Sequence, residues 1–174
     1  MKSAILAIPL VAAFALPAFA KDVPATAHPP SAATFADKSA ITDRYEIQAG
    51  QLAQKKSSNG KVDAYAKMIV QDHQKALDQL NSAVGSLKNV ALPGGLDEPH
   101  ASMLQQLKGL SGKEFERVFK LQQVEGHKQA ILLTKAYAQA GDNDQLKKLA
   151  QASLPVLKTH LAHAKELPPS AGGE

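Results

Sequence analysis

The chain has 174 residues, 44% of them hydrophobic, and with a short leading segment set aside about 150 remain, the size of one ordinary domain, so two separate cores are not expected. No Cys is present, which excludes disulfides and thiolate metal ligands, and the lack of Trp with an aromatic content of 5% argues against a β-sandwich. A formal charge of +4 with only two arginines, Arg44 and Arg117, and no basic runs interleaved with aromatics, excludes a nucleic-acid binder.

The first twenty residues have the three parts of a secretory signal: Lys2, an apolar run from Ala4 to Leu16, and the small-residue site Ala18-Phe19-Ala20, with cleavage expected after Ala20. Pro9 and Pro17 interrupt that run, which is shorter than the roughly 20 residues of a spanning helix, so no transmembrane span is expected after cleavage. Without a Cys at the cleavage site there is no lipid anchor, and the expected location is the periplasm or the cell exterior. Residues 21–34, with Pro24, Pro29 and Pro30, are expected to form a flexible leader, since proline removes backbone donors.

A first helix is expected from about Phe35 to Ser57, with Phe35, Thr42, Glu46, Ala49 and Ala53 on one seven-residue row. The stretch Ser57-Ser58-Asn59-Gly60 reads as a turn that caps the second helix. There Val62, Ala66, Ile69, His73, Ala76, Leu80, Ala83 and Leu87 alternate steps of four and three. The segment from Lys88 to Gly109 holds Pro93, Gly94 and Gly95 and then a short helix with Met103, Leu104 and Leu107, forming either a crossover or a capping flap. Ser111 and Glu114 have the spacing of a capping box opening a long third helix toward Ala140, with Val124, His127, Ile131, Thr134 and Ala138 on one face. Gly141 ends it, Asp142 and Gln145 restart the chain, and the fourth long helix runs to about Leu167. Its row contains Leu157, His160, Ala164 and Leu167, and Pro155 predicts a kink before His160. Residues 168–174, with two prolines and two glycines, read as a disordered tail. The fold class is therefore all-α: a four-helix bundle with an extra short helix between the second and third long helices, spanning residues 35–167.

Glu46, His73, His127 and His160 each lie on the inner row of a different long helix. At ~1.5 Å rise per residue, Glu46 and His73 sit within roughly 3 Å of one level, and His127 and His160 within roughly 7 Å. A carboxylate and three imidazoles converging in a bundle suit a first-row transition metal such as zinc, copper, iron or manganese. The same residues also fit a structural polar layer in a protein that binds no metal, and both readings stay open here. Asp72, about 100° round the helix from His73, is a candidate supporting partner or a solvated residue. His28 and His100 are expected to be exposed and His163 to lie at the bundle edge. With no Gly-rich phosphate loop, serine elbow or zinc-protease histidine pair, the sequence offers no support for a hydrolase or nucleotide enzyme.

Taken together, Glu46 to Ala53 (EIQAGQLA), Val62 to His73 (VDAYAKMIVQDH), Leu110 to Phe119 (LSGKEFERVF), His127, and Leu154 to Leu167 (LPVLKTHLAHAKEL) resemble the bacterial envelope family known as domain of unknown function 4142. The resemblance implies a ferritin-like helical bundle in the cell envelope, and its members are labelled as outer-membrane proteins, although no β-barrel pattern occurs here. Ferritin-type di-iron sites use Glu-x-x-His on two helices. Here Val70, Val124 and Leu157 stand three residues before the three histidines, so at most a single-ion or modified site is implied. Two functions follow for test: a periplasmic metal-binding protein, or an envelope adaptor or structural protein, stress-related, with a protein partner.

Overall fold

The computed structural model describes residues 29–88 and 90–168. Five helices are present: α1 (Ala32–Lys56), α2 (Gly60–Val84), α3 (Glu98–Gly109), α4 (Gly112–Ala140) and α5 (Asp144–Glu166), with no strand among the described residues. The signal segment and most of the leader lie outside the described residues, as does nearly all of the tail.

Helix α1 begins three residues earlier than its apolar row suggests, because the Ser31 hydroxyl accepts from the Thr34 amide at 3.2 Å and caps it. Asn59 caps α2 by accepting from Lys61 N at 3.0 Å, as the turn composition predicts. The expected capping box at α4 does not form. Ser111 makes no side-chain cap, and Glu114 instead takes Arg117, whose Nε donates to Glu114 Oε2 at 2.9 Å in a charge-assisted fork. At the start of α5 the cap is Asn143, not Asp142: Asn143 Oδ1 accepts from Leu146 N at 3.0 Å, while Asp142 accepts from the Tyr137 hydroxyl. Helix α5 is continuous through Pro155.

The long helices pack as two hairpins, α1 with α2 and α4 with α5, which face each other through α1 against α4 and α2 against α5. Two apolar clusters fill the ends. One joins Ala49, Ala53, Val62, Ile69, Leu107, Phe115, Phe119 and Ala164; the other joins Phe35, Ala36, Leu80, Val84, Tyr137, Leu146 and Ala150. The first cluster thus holds the start of α2 and the start of α4, so these two helices run in the same direction. The segment between them must return along the length of the bundle, and α3 lies within it. Of the two sequence readings of that segment, the crossover is the one realised. Lys56 anchors its end, with Nζ donating to the carbonyls of Leu107 and Leu110 at 3.4 and 2.7 Å.

Small residues let the helices approach. A Cβ on Gly50 would come within 2.6 Å of Val70 Cγ2 and 3.2 Å of the Ala66 carbonyl, so α1 and α2 cross at a spacing only glycine permits there. Between the two apolar clusters lies a buried layer of a different kind: Asp43, Glu46, Gln122, Gln123, His127, Thr134, His73 and His160. Eight polar residues in one zone of an otherwise apolar interior need partners, because an unpaired buried polar group costs about 1–3 kcal/mol.

Candidate metal centre

The four long helices each deliver one or more side chains to this layer. His73 from α2, His127 from α4 and His160 from α5 are 3%, 1% and 1% exposed. Their ring centroids form a nearly equilateral triangle with sides of 5.6, 5.3 and 5.3 Å. One ring nitrogen from each lies within 4.8 Å of the other two. From the helix ends, His127 stands 13 residues before Ala140 and His160 stands 16 after Asp144. The remaining offset, three residues or about 4.5 Å, is absorbed by the loop and by the side chains.

Each imidazole is anchored from outside the triangle by an oxygen. His73 Nδ1 lies 2.7 Å from Asp43 Oδ1, His160 Nε2 lies 2.9 Å from Asp72 Oδ2, and His127 Nδ1 lies 2.9 Å from the Gln123 carbonyl. Carboxylates and carbonyls only accept, so these nitrogens carry the protons. In a neutral imidazole the other nitrogen then presents a lone pair. Those three nitrogens are His73 Nε2, His127 Nε2 and His160 Nδ1. His127 Nε2 and His160 Nδ1 stand 3.3 Å apart. His73 Nε2 is buried without any hydrogen-bond partner. With one nitrogen of each ring within 4.8 Å of the others, unprotonated nitrogens gathered here would repel unless a proton or a cation lies among them.

Ligand geometry fits a cation well. Metal–nitrogen bonds of about 2.0–2.1 Å in a tetrahedral arrangement place the nitrogens about 3.3–3.5 Å apart. The His127–His160 pair is already there, and the longest separation has to close by about 1.4 Å. Histidine metal ligands characteristically donate their second ring N–H to a carboxylate or carbonyl, and all three do so here.

Glu46 is 1% exposed and belongs to the same layer, but it stands behind His127 rather than inside the triangle. Its Oε1 is 3.9 Å from His127 Nδ1, the nitrogen turned toward Gln123, and its Oε2 accepts from Gln123 Nε2 at 2.7 Å. The structure therefore brings together three of the four residues expected to converge, with Glu46 on the outer side of one. Asp72 supports His160 across the α2–α5 interface rather than its sequence neighbour His73. His100 is half-buried against Tyr45, with ring centroids 5.4 Å apart, and His163 is exposed.

Sequence periodicity missed Asp43, Gln122 and Gln123. Asp43 lies one turn before Glu46 on the same face, and counting back about 15 residues from the α1–α2 turn puts it closer to the level of His73 than Glu46 is. The glutamines extend the layer: Tyr65 Oη donates to Gln123 Oε1 at 2.8 Å and Tyr45 Oη to Gln122 Oε1 at 2.6 Å.

Burial sets the protonation states. It pushes the Glu46 carboxyl up to about 7, against the lowering effects of His73 and the Gln123 hydrogen bond. Burial and then the nearby His73 charge bring His127 down to about 3. Burial also lowers His160, opposed by its bond to Asp72. For His73, burial pulls the pKa down, but the hydrogen bond to Asp43 and the charges of Asp43, Glu46 and Asp72 outweigh it, and the net shift is upward. His127 and His160 are thus held neutral, the form that ligates metal.

The profile of a family described as a domain of unknown function (DUF4142) matches residues 18–167. The chain belongs to this family. None of the curated proteins compared with it matches. A solved structure, CopM in the Cu(II)-bound form, is similar, with a TM-score of 0.67 over 79% of this chain and 95% of that one, at 15% identity. At that identity the likeness carries the helical-bundle fold. The family has no assigned function, so chemistry has to be argued from the triangle itself. No helix among the described residues is long and apolar enough to cross a membrane.

Proposed function

We propose that this chain is a metal-binding protein of the bacterial cell envelope, exported to the periplasm by its first twenty residues. It holds one transition-metal ion between His73 Nε2, His127 Nε2 and His160 Nδ1. The observation that carries this reading is the orphaned, fully enclosed Nε2 of His73, on a ring clustered with those of His127 and His160, in an interior where nearly every other polar side-chain atom is bonded. Asp43, Asp72 and the Gln123 carbonyl fix the ring orientations, and Glu46 lies close enough to His127 to balance the charge of the ion or to swing toward it. Helix pairing and the long crossover further support placing the bundle with the ferritin-like four-helix group, with a single-ion site in place of the di-iron carboxylates.

Copper is the first ion to test, because the similar bundle of CopM is described in a Cu(II)-bound form. Imidazole donors also suit zinc, iron and manganese. The alternative is an envelope adaptor whose polar layer only specifies packing; the dense bonding of Asp43, Gln122, Gln123 and Glu46 supports it, but it leaves His73 Nε2 without a partner.

Mass-spectrometric metal analysis of protein purified without a histidine tag, after incubation with each of the four ions, tests the reading. One equivalent of metal in the wild type, lost in the His73→Ala, His160→Ala double variant, is the expected result. No bound metal with any of the ions leaves the adaptor reading in its place.

A further inference from the structure

A cavity of about 270 Å³ lies between α1, α2, α4 and α5. An apolar cavity of about 150 Å³ is already enough for benzene, so this one has room for a six-carbon body and a polar head. Its wall changes character from one part to the other. Phe35, Leu80, Leu133 and Leu149 belong to the apolar cluster that holds the start of α1, whereas Asp43, Asp72, His73, His160 and Thr134 come from the polar layer and its anchors.

The polar part offers acceptors rather than donors. The N–H groups of His73 and His160 are both turned to carboxylate oxygens, Asp43 Oδ1 at 2.7 Å and Asp72 Oδ2 at 2.9 Å, so neither is left for an anion. Each carboxylate keeps a second oxygen that takes no hydrogen bond among the described residues, and imidazoles are the only ion-pair partners either has there. Asp43 is 8% exposed, and Thr134, whose hydroxyl also lacks a hydrogen-bond partner among the described residues, is 5% exposed. Among those residues the one side-chain atom both sealed off and unpartnered is His73 Nε2. The free Asp43 and Thr134 oxygens therefore border open space, and the cavity is a space that both residues line. Lys75 also lines it but is exposed to solvent and pairs with neither carboxylate. Buried oxygens without donors call for a ligand that donates, and an ammonium group has three donors and no acceptor. We propose that this cavity binds a small primary ammonium ion carrying a short hydrocarbon, with the ammonium donating to Asp43 and Thr134 and the hydrocarbon lying against Phe35, Leu80 and Leu133. The site needs no metal and stands apart from the reading above.

The test is calorimetric titration of metal-free protein with hexylammonium, hexanol and hexanoate, repeated in Ala76→Leu and Ala130→Leu, which fill the cavity from α2 and α4. One equivalent of hexylammonium is expected to bind at least tenfold more tightly than hexanol or hexanoate, since a charged hydrogen bond is worth about that factor. Each variant should bind it at least tenfold more weakly, and each methylene removed from hexyl- to propylammonium should weaken binding about fourfold. Hexanol or hexanoate binding as tightly as hexylammonium overturns the proposal, because the carboxylates would then not be read. Affinity that ignores chain length, or that is unchanged in both folded variants, overturns it too, because the ligand would then lie elsewhere. Absence of saturable binding removes it outright. If neither variant folds, nuclear Overhauser contacts from the hexyl chain to the Leu80 and Leu133 methyl groups decide, and their absence at saturation overturns the proposal. None of these outcomes involves an ion, so failure here leaves the metal-binding reading untouched.

Discussion

Replacing Glu46 with Gln in metal-free protein isolates the cost of ionising a carboxyl group inside the bundle. Glutamine keeps the shape and can still accept the hydrogen bond from Gln123 Nε2, which the Glu46 carboxylate receives at 2.7 Å. In the folded protein Glu46 titrates at about 7 against 4.5 for an ordinary glutamate. Between these values the native state binds more protons than the unfolded state, so stability falls as pH rises. The stabilising protonation is complete below 4.5 and is lost as pH passes through about 7. A shift of this size corresponds to about 3 kcal/mol at 1.36 kcal/mol per unit. His127 acts in the opposite sense: its pKa, lowered to about 3, means that stability is lost as pH falls below 6.5. Because both proteins contain His127, its effect largely cancels in the difference between them. Urea unfolding of the wild type and the Glu46→Gln variant, with chelator, at pH 4.5 and pH 8 should therefore show the variant gaining about 3 kcal/mol relative to wild type across that interval. A difference that changes by less than about 0.5 kcal/mol would mean that Glu46 ionises freely, and the enclosed polar layer described here would be wrong.

Asp72→Asn should weaken metal affinity about 10–100-fold, measured by competition with a chromophoric chelator, since a partner that fixes a ligand's tautomer is typically worth that much. Little loss of fold stability should accompany it, because the Asp72 side chain is 38% exposed. Gly50→Ala should cost about 1–3 kcal/mol in urea unfolding while leaving metal stoichiometry at one, because the new methyl group meets Val70 at 2.6 Å and the substitution removes no candidate ligand or anchor. Metal uptake at neutral pH should release protons, in part from His73, whose pKa is raised, and affinity should fall as pH is lowered. Calorimetry in two buffers of different ionisation enthalpy reads how many, and a release near zero would show His73 already neutral or not a ligand.

The five helices, their order and the inward rows were legible because apolar spacing is a local signal. His73, His127 and His160 stood out since a polar residue in such a row needs an explanation. Partner choice was less legible. Asp43, one turn before Glu46, is not marked by apolar spacing, and Gln122 and Gln123 carry no charge to draw notice, yet Asp43 orients His73, Gln123 orients His127 and holds Glu46, and Gln122 takes the Tyr45 hydroxyl. Capping was misjudged where a stronger competitor stood nearby, as Arg117 does for Glu114. The crossover was left as one of two readings, because the sequence length from Val84 to Gly112 suits a flap as well as a return along the bundle.

The residues of the triangle and their anchors are widely spread in the chain: Asp43 meets His73 across 30 positions and Asp72 meets His160 across 88. A nascent or truncated molecule that has formed the α1–α2 hairpin owns one imidazole of the set, and only when the last helix docks are all three present. An ion held by all three would therefore be a tally of finished molecules. A chain threaded through a membrane in extended form would stay empty throughout its passage and select its ion from the compartment in which folding is completed.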